Sequence, residues 1–195
     1  RLVYRVAGAG TKEFSALVAG DTIDVLGPLG NGFPLLEGKK AFLIGGGIGI
    51  PPMLELAKAL SKVNGGEMVQ SVIGYRDSHM FLKEEFEEVC DVKIATEDGS
   101  QGAKGTVIDA IEKYGVEGKV IYACGPMPML KALAAYAEEH GMEAQISLEE
   151  RMACGIGACL GCICKSKTKD HHTNVNNTRI CKDGPVFDAK EVVFS

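Results

Sequence analysis

Within the run RMACGIGACLGCICK, Arg151 to Lys165, four thiols stand close together as Cys154, Cys159, Cys162 and Cys164, and small residues fill most of the gaps. Cysteines that staple a secreted domain are spread out to tie distant segments together. Cysteines bunched in one loop are instead placed as thiolate ligands of a single centre, because soft sulfur donors select zinc, copper(I) or iron–sulfur groups. Gly155, Gly157 and Gly161 allow positive φ angles and a close backbone approach, and Ala153 and Ala158 keep bulk away. Such a loop can turn its N–H groups inward toward sulfur, which tunes and orients a bound centre.

Cys154, Cys159 and Cys162 have the spacing C-x4-C-x2-C, and Cys181 follows after eighteen intervening residues. Three ligands from one loop and a fourth from a distant segment is the arrangement of a plant-type 2Fe-2S centre. Structural zinc usually takes two C-x2-C knuckles, and only Cys159 and Cys162 form one here. A Rieske centre needs histidine ligands; His171 and His172 lie in the polar run KSKTKDHHTNVNNTR and read as solvated loop residues. Cys164 competes for the third or fourth ligand position. Cys181 is preferred as fourth because ICKDGPVFDAKEVVF reads as strand, turn and strand, which leaves Cys164 as a small buried residue.

The chain has 195 residues, 46% of them apolar, and a formal charge of −5. That charge argues against a nucleic-acid surface, which needs clustered Lys and Arg. No apolar run approaches the ~20 residues that cross a bilayer. The total of seven cysteines is odd, and Cys90 and Cys124 stand alone in apolar contexts, so a reducing cytoplasm is expected. The opening RLVYRVAGAG lacks Met and reads as a strand rather than a leader. The chain is therefore expected to start inside a domain whose front half is absent.

Three regions must position these residues. Residues 1–36 alternate short strand-like runs with Gly and Pro turns, as at the end of an antiparallel barrel. Residues 37–149 alternate five strands (KAFLIGG, EMVQSVIGYR, DVKIATED, GKVIYACGP, MEAQISLEE) with four helices, which predicts a five-stranded parallel sheet covered on both faces. Ligands of such sheets sit at the carboxyl ends of the strands, here the loops after Ile44, Tyr75, Thr96 and Cys124. Residues 150–195 form a third piece, too small to bury much core alone, which a metal centre would help to hold together.

Two of those loops have nucleotide chemistry. LIGGGIGIPP runs from a strand through a Gly-rich turn into a helix whose N-terminal amides can meet a pyrophosphate. It departs from G-x-G-x-x-G, since Ile50 and Pro51 stand where the third glycine would fall. YACGPMPML is a second Gly-Pro turn at a strand end and presents Cys124 to the same crevice. A lone cysteine at such a point is more often a buried core thiol.

Taken together, GGGIGIPP, CGPMPM and EERMACGIGACLGCICK resemble the ferredoxin-reductase family, and more narrowly the electron-transfer subunits of type B dihydroorotate dehydrogenases. VLGPLGNGF and CKDGPVFDAKEV also fit, so the resemblance covers nearly the whole chain, though the front of the barrel and its Arg-x-Tyr-Ser-type flavin motif are lacking. It implies a remnant of an FAD barrel over 1–36, an NAD-binding α/β domain over 37–149 and a 2Fe-2S domain over 150–195. It also implies that Val3, Tyr4, Arg5, Gly10 and Thr11 contact FAD, and that Gly47, Gly49, Cys124 and Gly125 line the nicotinamide side. Tyr75 and Arg76 would then lie near the adenosine half. The implied activity joins a partner subunit with FMN, which oxidises dihydroorotate, through the 2Fe-2S centre and FAD to NAD+ in pyrimidine biosynthesis. A cytoplasmic heterotetramer is the implied assembly. The rival readings are a sulfhydrogenase or ferredoxin:NADP oxidoreductase subunit, and a zinc-stapled nucleotide-binding module.

Overall fold

Every residue of AFLIGG, Ala41–Gly46, is buried, as a strand covered by helices on both faces must be. This is β1 in a computed structural model that describes residues 1–115, 117–169 and 174–194. His171 and His172 lie outside the described residues. Before β1 comes a short helix, α1 (Ala9–Phe14). After it follow α2 (Ile50–Asn64), β2 (Val69–Tyr75), α3 (Lys83–Glu87), β3 (Asp91–Thr96) and β4 (Ala103–Lys104). Next come α4 (Val107–Tyr114), β5 (Val120–Cys124), α5 (Met127–Glu139) and β6 (Glu143–Ser147). The last segment adds β7 (Ile163–Lys165), β8 (Asn177–Arg179) and β9 (Val186–Asp188).

The main sheet has the order β4-β3-β2-β1-β5-β6-β9, with β7 and β8 paired separately. The five strands expected from sequence are its parallel centre. Two more join at the edges: β4 pairs in parallel with β3, and β9 pairs antiparallel to β6. Strands of two or three residues are created by a neighbour's edge, so their own composition does not announce them.

On one face Leu43, Ile73 and Tyr122 pack under α2 and α3; on the other Ile44, Val72 and Ile121 pack under α4 and α5. Cys162, Ile180, Cys181 and Val192 belong to this second core. The cysteine-bearing lobe therefore shares a core with the sheet. Helix α4 begins with a reciprocal cap: Asp109 N–H donates to Thr106 Oγ1, and Thr106 N–H donates to Asp109 Oδ2 at 2.6 Å. Thr106→Ala is expected to lower unfolding stability by about 1 kcal/mol, measured by denaturant titration. Hydrogen bonds from Thr106 hold the Asp109 carboxyl below its ordinary range, so its contribution is present at neutral pH and lost as pH falls through the depressed value.

Residues 1–36 contain no strand, although alternating apolar residues suggested several. Leu2, Val6, Val18, Ile23 and Val25 are exposed, and no neighbouring strand among the described residues offers them a ladder. GAGTKEF, expected as a turn, forms α1 instead. Thr11 Oγ1 accepts from the N–H groups of Ala7 and Gly8 at 2.9 and 3.1 Å and closes its first turn.

Candidate functional site

The cysteines fall into two pairs. Cys159 N–H donates to Cys154 Sγ, and Cys181 N–H donates to Cys162 Sγ, each at 3.4 Å. Gly161 N–H reaches Cys159 Sγ, also at 3.4 Å. N–H groups of Cys159 and Ile156 stabilise the Cys154 thiolate and bring its pKa down to about 6. Cys181 moves the other way, because its sulfur shares a hydrogen bond with Cys162. Loop backbone thus surrounds sulfur, which is the chemistry the glycines were read to serve.

Gly155 and Gly157 carry that loop at φ +72° and +82°. A Cβ on Gly157 would lie 2.9 Å from Lys182 Cδ, so the backbone lies against the segment that carries Cys181. Gly161 differs from the expectation: the left-handed turn is made by Leu160, at φ +57° with its side chain largely in solvent. A bulky residue held in αL costs of order 1–3 kcal/mol, and that strain persists only where the surroundings impose it.

The pairing bears on what the thiols can hold. A zinc knuckle would join Cys159 to Cys162, but here Cys159 is partnered with Cys154. Among the described residues, no three His, Cys, Asp or Glu side chains are arranged to hold a metal ion. Cys164, on β7, is half-buried and packed on the core, its thiol pushed up by burial.

The nucleotide loops meet backbone to backbone. A Cβ on Gly49 would lie 2.2 Å from the Cys124 carbonyl oxygen and 2.6 Å from Gly125 N. Only glycine permits this approach. Gly47, at φ +55°, is exposed and would have open space around a Cβ. Helix α2 offers fewer donors than its start suggests. Pro51 and Pro52 have no N–H, and Ile50 N–H is spent on the Gly47 carbonyl.

Cys124 points less into the crevice than expected: it is buried, its thiol hydrogen-bonds Ser147, and desolvation pushes it up to about 11. It stays protonated at neutral pH, so iodoacetamide at pH 8 is expected to leave Cys124 unlabelled until the protein is unfolded, as read by peptide mass spectrometry. Tyr75 is also core, its hydroxyl donating to the Phe81 carbonyl at 2.8 Å, while Arg76 is exposed just beyond it. In the first segment Val3, Tyr4 and Arg5 are exposed; the Tyr4 ring meets Phe14 edge-on, and Gly10 and Thr11 lie in α1. Sequence reasoning missed Ser147, which meets the Cys124 thiol from the neighbouring strand β6, 23 residues along the chain.

A family profile described as the iron-sulfur cluster binding domain of dihydroorotate dehydrogenase B matches residues 149–193. One described as an oxidoreductase NAD-binding domain matches residues 43–135. A solved NADH-dependent reduced ferredoxin-NADP oxidoreductase, studied for flavin-based electron bifurcation, superimposes with a TM-score of 0.85 at 32% identity. It covers 98% of this chain and 67% of that one. The fold is that of an α/β ferredoxin-reductase-like oxidoreductase with a C-terminal iron–sulfur domain. The "Dihydroorotate dehydrogenase B (NAD(+)), electron transfer subunit" of Caldanaerobacter subterraneus subsp. tengcongensis is 45% identical over 99% of this chain and 75% of its own length. That of Geobacillus sp. (strain WCH70) is 49% identical over 99% of this chain and 74% of its own. The chain belongs to the family of dihydroorotate dehydrogenase B electron transfer subunits.

Proposed function

We propose that this chain carries reducing equivalents between a catalytic partner that oxidises dihydroorotate and NAD+, in the cytoplasm. The observation that carries this reading is the pairing of Cys154 with Cys159 and of Cys162 with Cys181, each sulfur pair met by backbone N–H groups. Cys154 and Cys159 would hold one iron of a 2Fe-2S centre, Cys162 and Cys181 the other. Such a centre supplies one-electron transfer, nicotinamide accepts a hydride, and flavin handles both.

The chain's own residues bind and position. Gly47, Gly49 and Gly125 bring backbone to the nicotinamide nucleotide without side-chain bulk, and Cys124 forms an uncharged floor beneath them. On the flavin side, Val3, Tyr4 and Arg5 are exposed, and with Gly10 and Thr11 they would contact FAD. Residues 1–36 would be the flavin-barrel part, 37–149 the NAD domain and 150–195 the cluster domain.

The partner is the FMN-bearing catalytic subunit, in a heterotetramer. It meets the cysteine lobe, where Met152, Ile156 and Leu160 expose apolar surface around the ligands. Among the described residues no helix is long and apolar enough to cross a membrane. Mixing the purified chain with that catalytic subunit is expected to yield dihydroorotate-dependent NAD+ reduction that neither has alone. Ferredoxin- or sulfide-linked turnover in its place would reject the reading.

A further inference from the structure

We infer that the stretch Leu29–Gly38 is a strut joining the cysteine loop to the nucleotide crevice, with Asn31 and Tyr122 as the positioning residues at its two ends. The functional part of this inference rests on the electron-transfer reading above. At the first end, Asn31 N–H donates to the Gly184 carbonyl at 2.6 Å, and its side-chain amide donates to the carbonyls of Lys182 and Asp183, each at 3.1 Å. Lys182 directly follows Cys181. A Cβ on Gly30 would lie 2.2 Å from the Gly184 oxygen, and Leu29 reaches within 2.9 Å of a Cβ placed on Gly155. The strut thus touches both segments that carry the cysteines.

At the second end, Tyr122 is wholly buried, yet its hydroxyl is spent on the strut. It donates to the Pro34 carbonyl at 2.9 Å and accepts from Leu36 N–H at 3.3 Å, while Phe33 packs edge-on against its ring. Phenylalanine would fill the same space, so the hydroxyl's contribution lies in these two bonds. Asn64 finishes the anchor: its amide donates to the Leu36 carbonyl at 3.1 Å, and its oxygen accepts from Gly38 N–H at 2.9 Å. Tyr122 lies two residues before Cys124 on β5. Asn31 and Pro34 are three residues apart and so separated by at most about 10 Å of chain.

This geometry makes the flavin-side segment answer to both sites at once. Its two anchors should fail separately, because each holds a different neighbour. Displacements of about 1 Å far from the reacting atoms can cost up to about a hundredfold in rate, so loosening one anchor should slow the transfer on that side.

The test uses the cofactor-loaded complex with its catalytic subunit. Asn31→Ala is expected to leave NADH-driven dye reduction within about twofold of wild type, while NADH-driven appearance of the iron–sulfur paramagnetic signal slows about tenfold. Asn31→Asp, which turns a carboxylate toward two carbonyls, should act in the same direction. Tyr122→Phe should raise amide exchange at Leu36 about tenfold and lower kcat for dye reduction with the NADH KM unchanged. Equal slowing of both reactions by Asn31→Ala, or unaltered Leu36 exchange in Tyr122→Phe, would overturn the strut. If wild-type protein shows no NADH-driven signal, the electron-transfer reading has failed, and exchange at Leu36 and Gly38 (the latter in Asn64→Ala) still decides whether the strut exists.

Discussion

Cys162→Ser is expected to yield a folded protein without iron–sulfur absorbance, whose NAD+-linked turnover with the catalytic subunit is lower by about a hundredfold or more. Serine keeps the shape but replaces the soft thiolate that two irons need. The protein should still fold, because the serine oxygen can accept the Cys181 N–H that meets sulfur in the wild type, which offsets the cost of a hydroxyl in the core. Cys164→Ser gives the control. That thiol is two residues away and half-buried, yet its replacement should retain both absorbance and turnover. Loss of the centre in Cys164→Ser, or its survival in Cys162→Ser, would reassign the ligands. Iron analysis and the visible spectrum of the two purified variants settle the comparison.

Gly49→Ala should be the most damaging single methyl group outside the cysteines. Its Cβ would lie 2.2 Å from a backbone oxygen and 2.4 Å from a carbonyl carbon of Cys124, and neither can swing away as a side-chain tip would. The two nucleotide loops must separate instead. Overpacking of this kind costs about 1–3 kcal/mol, and contact with backbone puts it toward the upper end. Separation also dislocates the Gly47 turn, so the KM for NADH should rise about tenfold or more in steady-state dye reduction. Gly47→Ala separates the two causes. Open space surrounds that position, so it should cost only the roughly 1–2 kcal/mol of a side chain at φ +55°, with no clash to force the loops apart. Equal loss of stability in both variants would mean that the loop contact is not what Gly49 supports.

Much of this arrangement was legible in the residues because local chemistry dictates it. Ala41–Gly46 and Val120–Cys124 read as buried strands since nothing polar interrupts them, and α2 and α5 read as helices because each has Pro in its first turn and an apolar face. The ligand spacing was legible too, since a cysteine loop must carry its glycines with it. What escaped depended on partners distant in sequence. Strand β4 exists only where a neighbouring edge captures it. Of the strand, turn and strand read in ICKDGPVFDAKEVVF only the second strand forms, as β9. Residues 180–182 are a turn after β8, so Cys181 lies in a turn and Cys164 on β7. The apolar alternation of residues 1–36 was genuine, but strand pairing needs a second strand. Leu160 takes the left-handed turn that Gly161 was expected to make, because the loop's contacts, and not residue preference, choose which position turns. The two bonds of the Tyr122 hydroxyl span 86 and 88 residues, and no local pattern encodes them.

The central claim is that four cysteines, in two pairs, hold a pair of irons. Electron paramagnetic resonance of the anaerobically reduced chain tests it most directly, with iron and acid-labile sulfide measured on the same sample. The account predicts a rhombic signal from one electron shared between two irons, with iron and sulfide in equal amount. A colourless, silent sample containing zinc and no sulfide would contradict it.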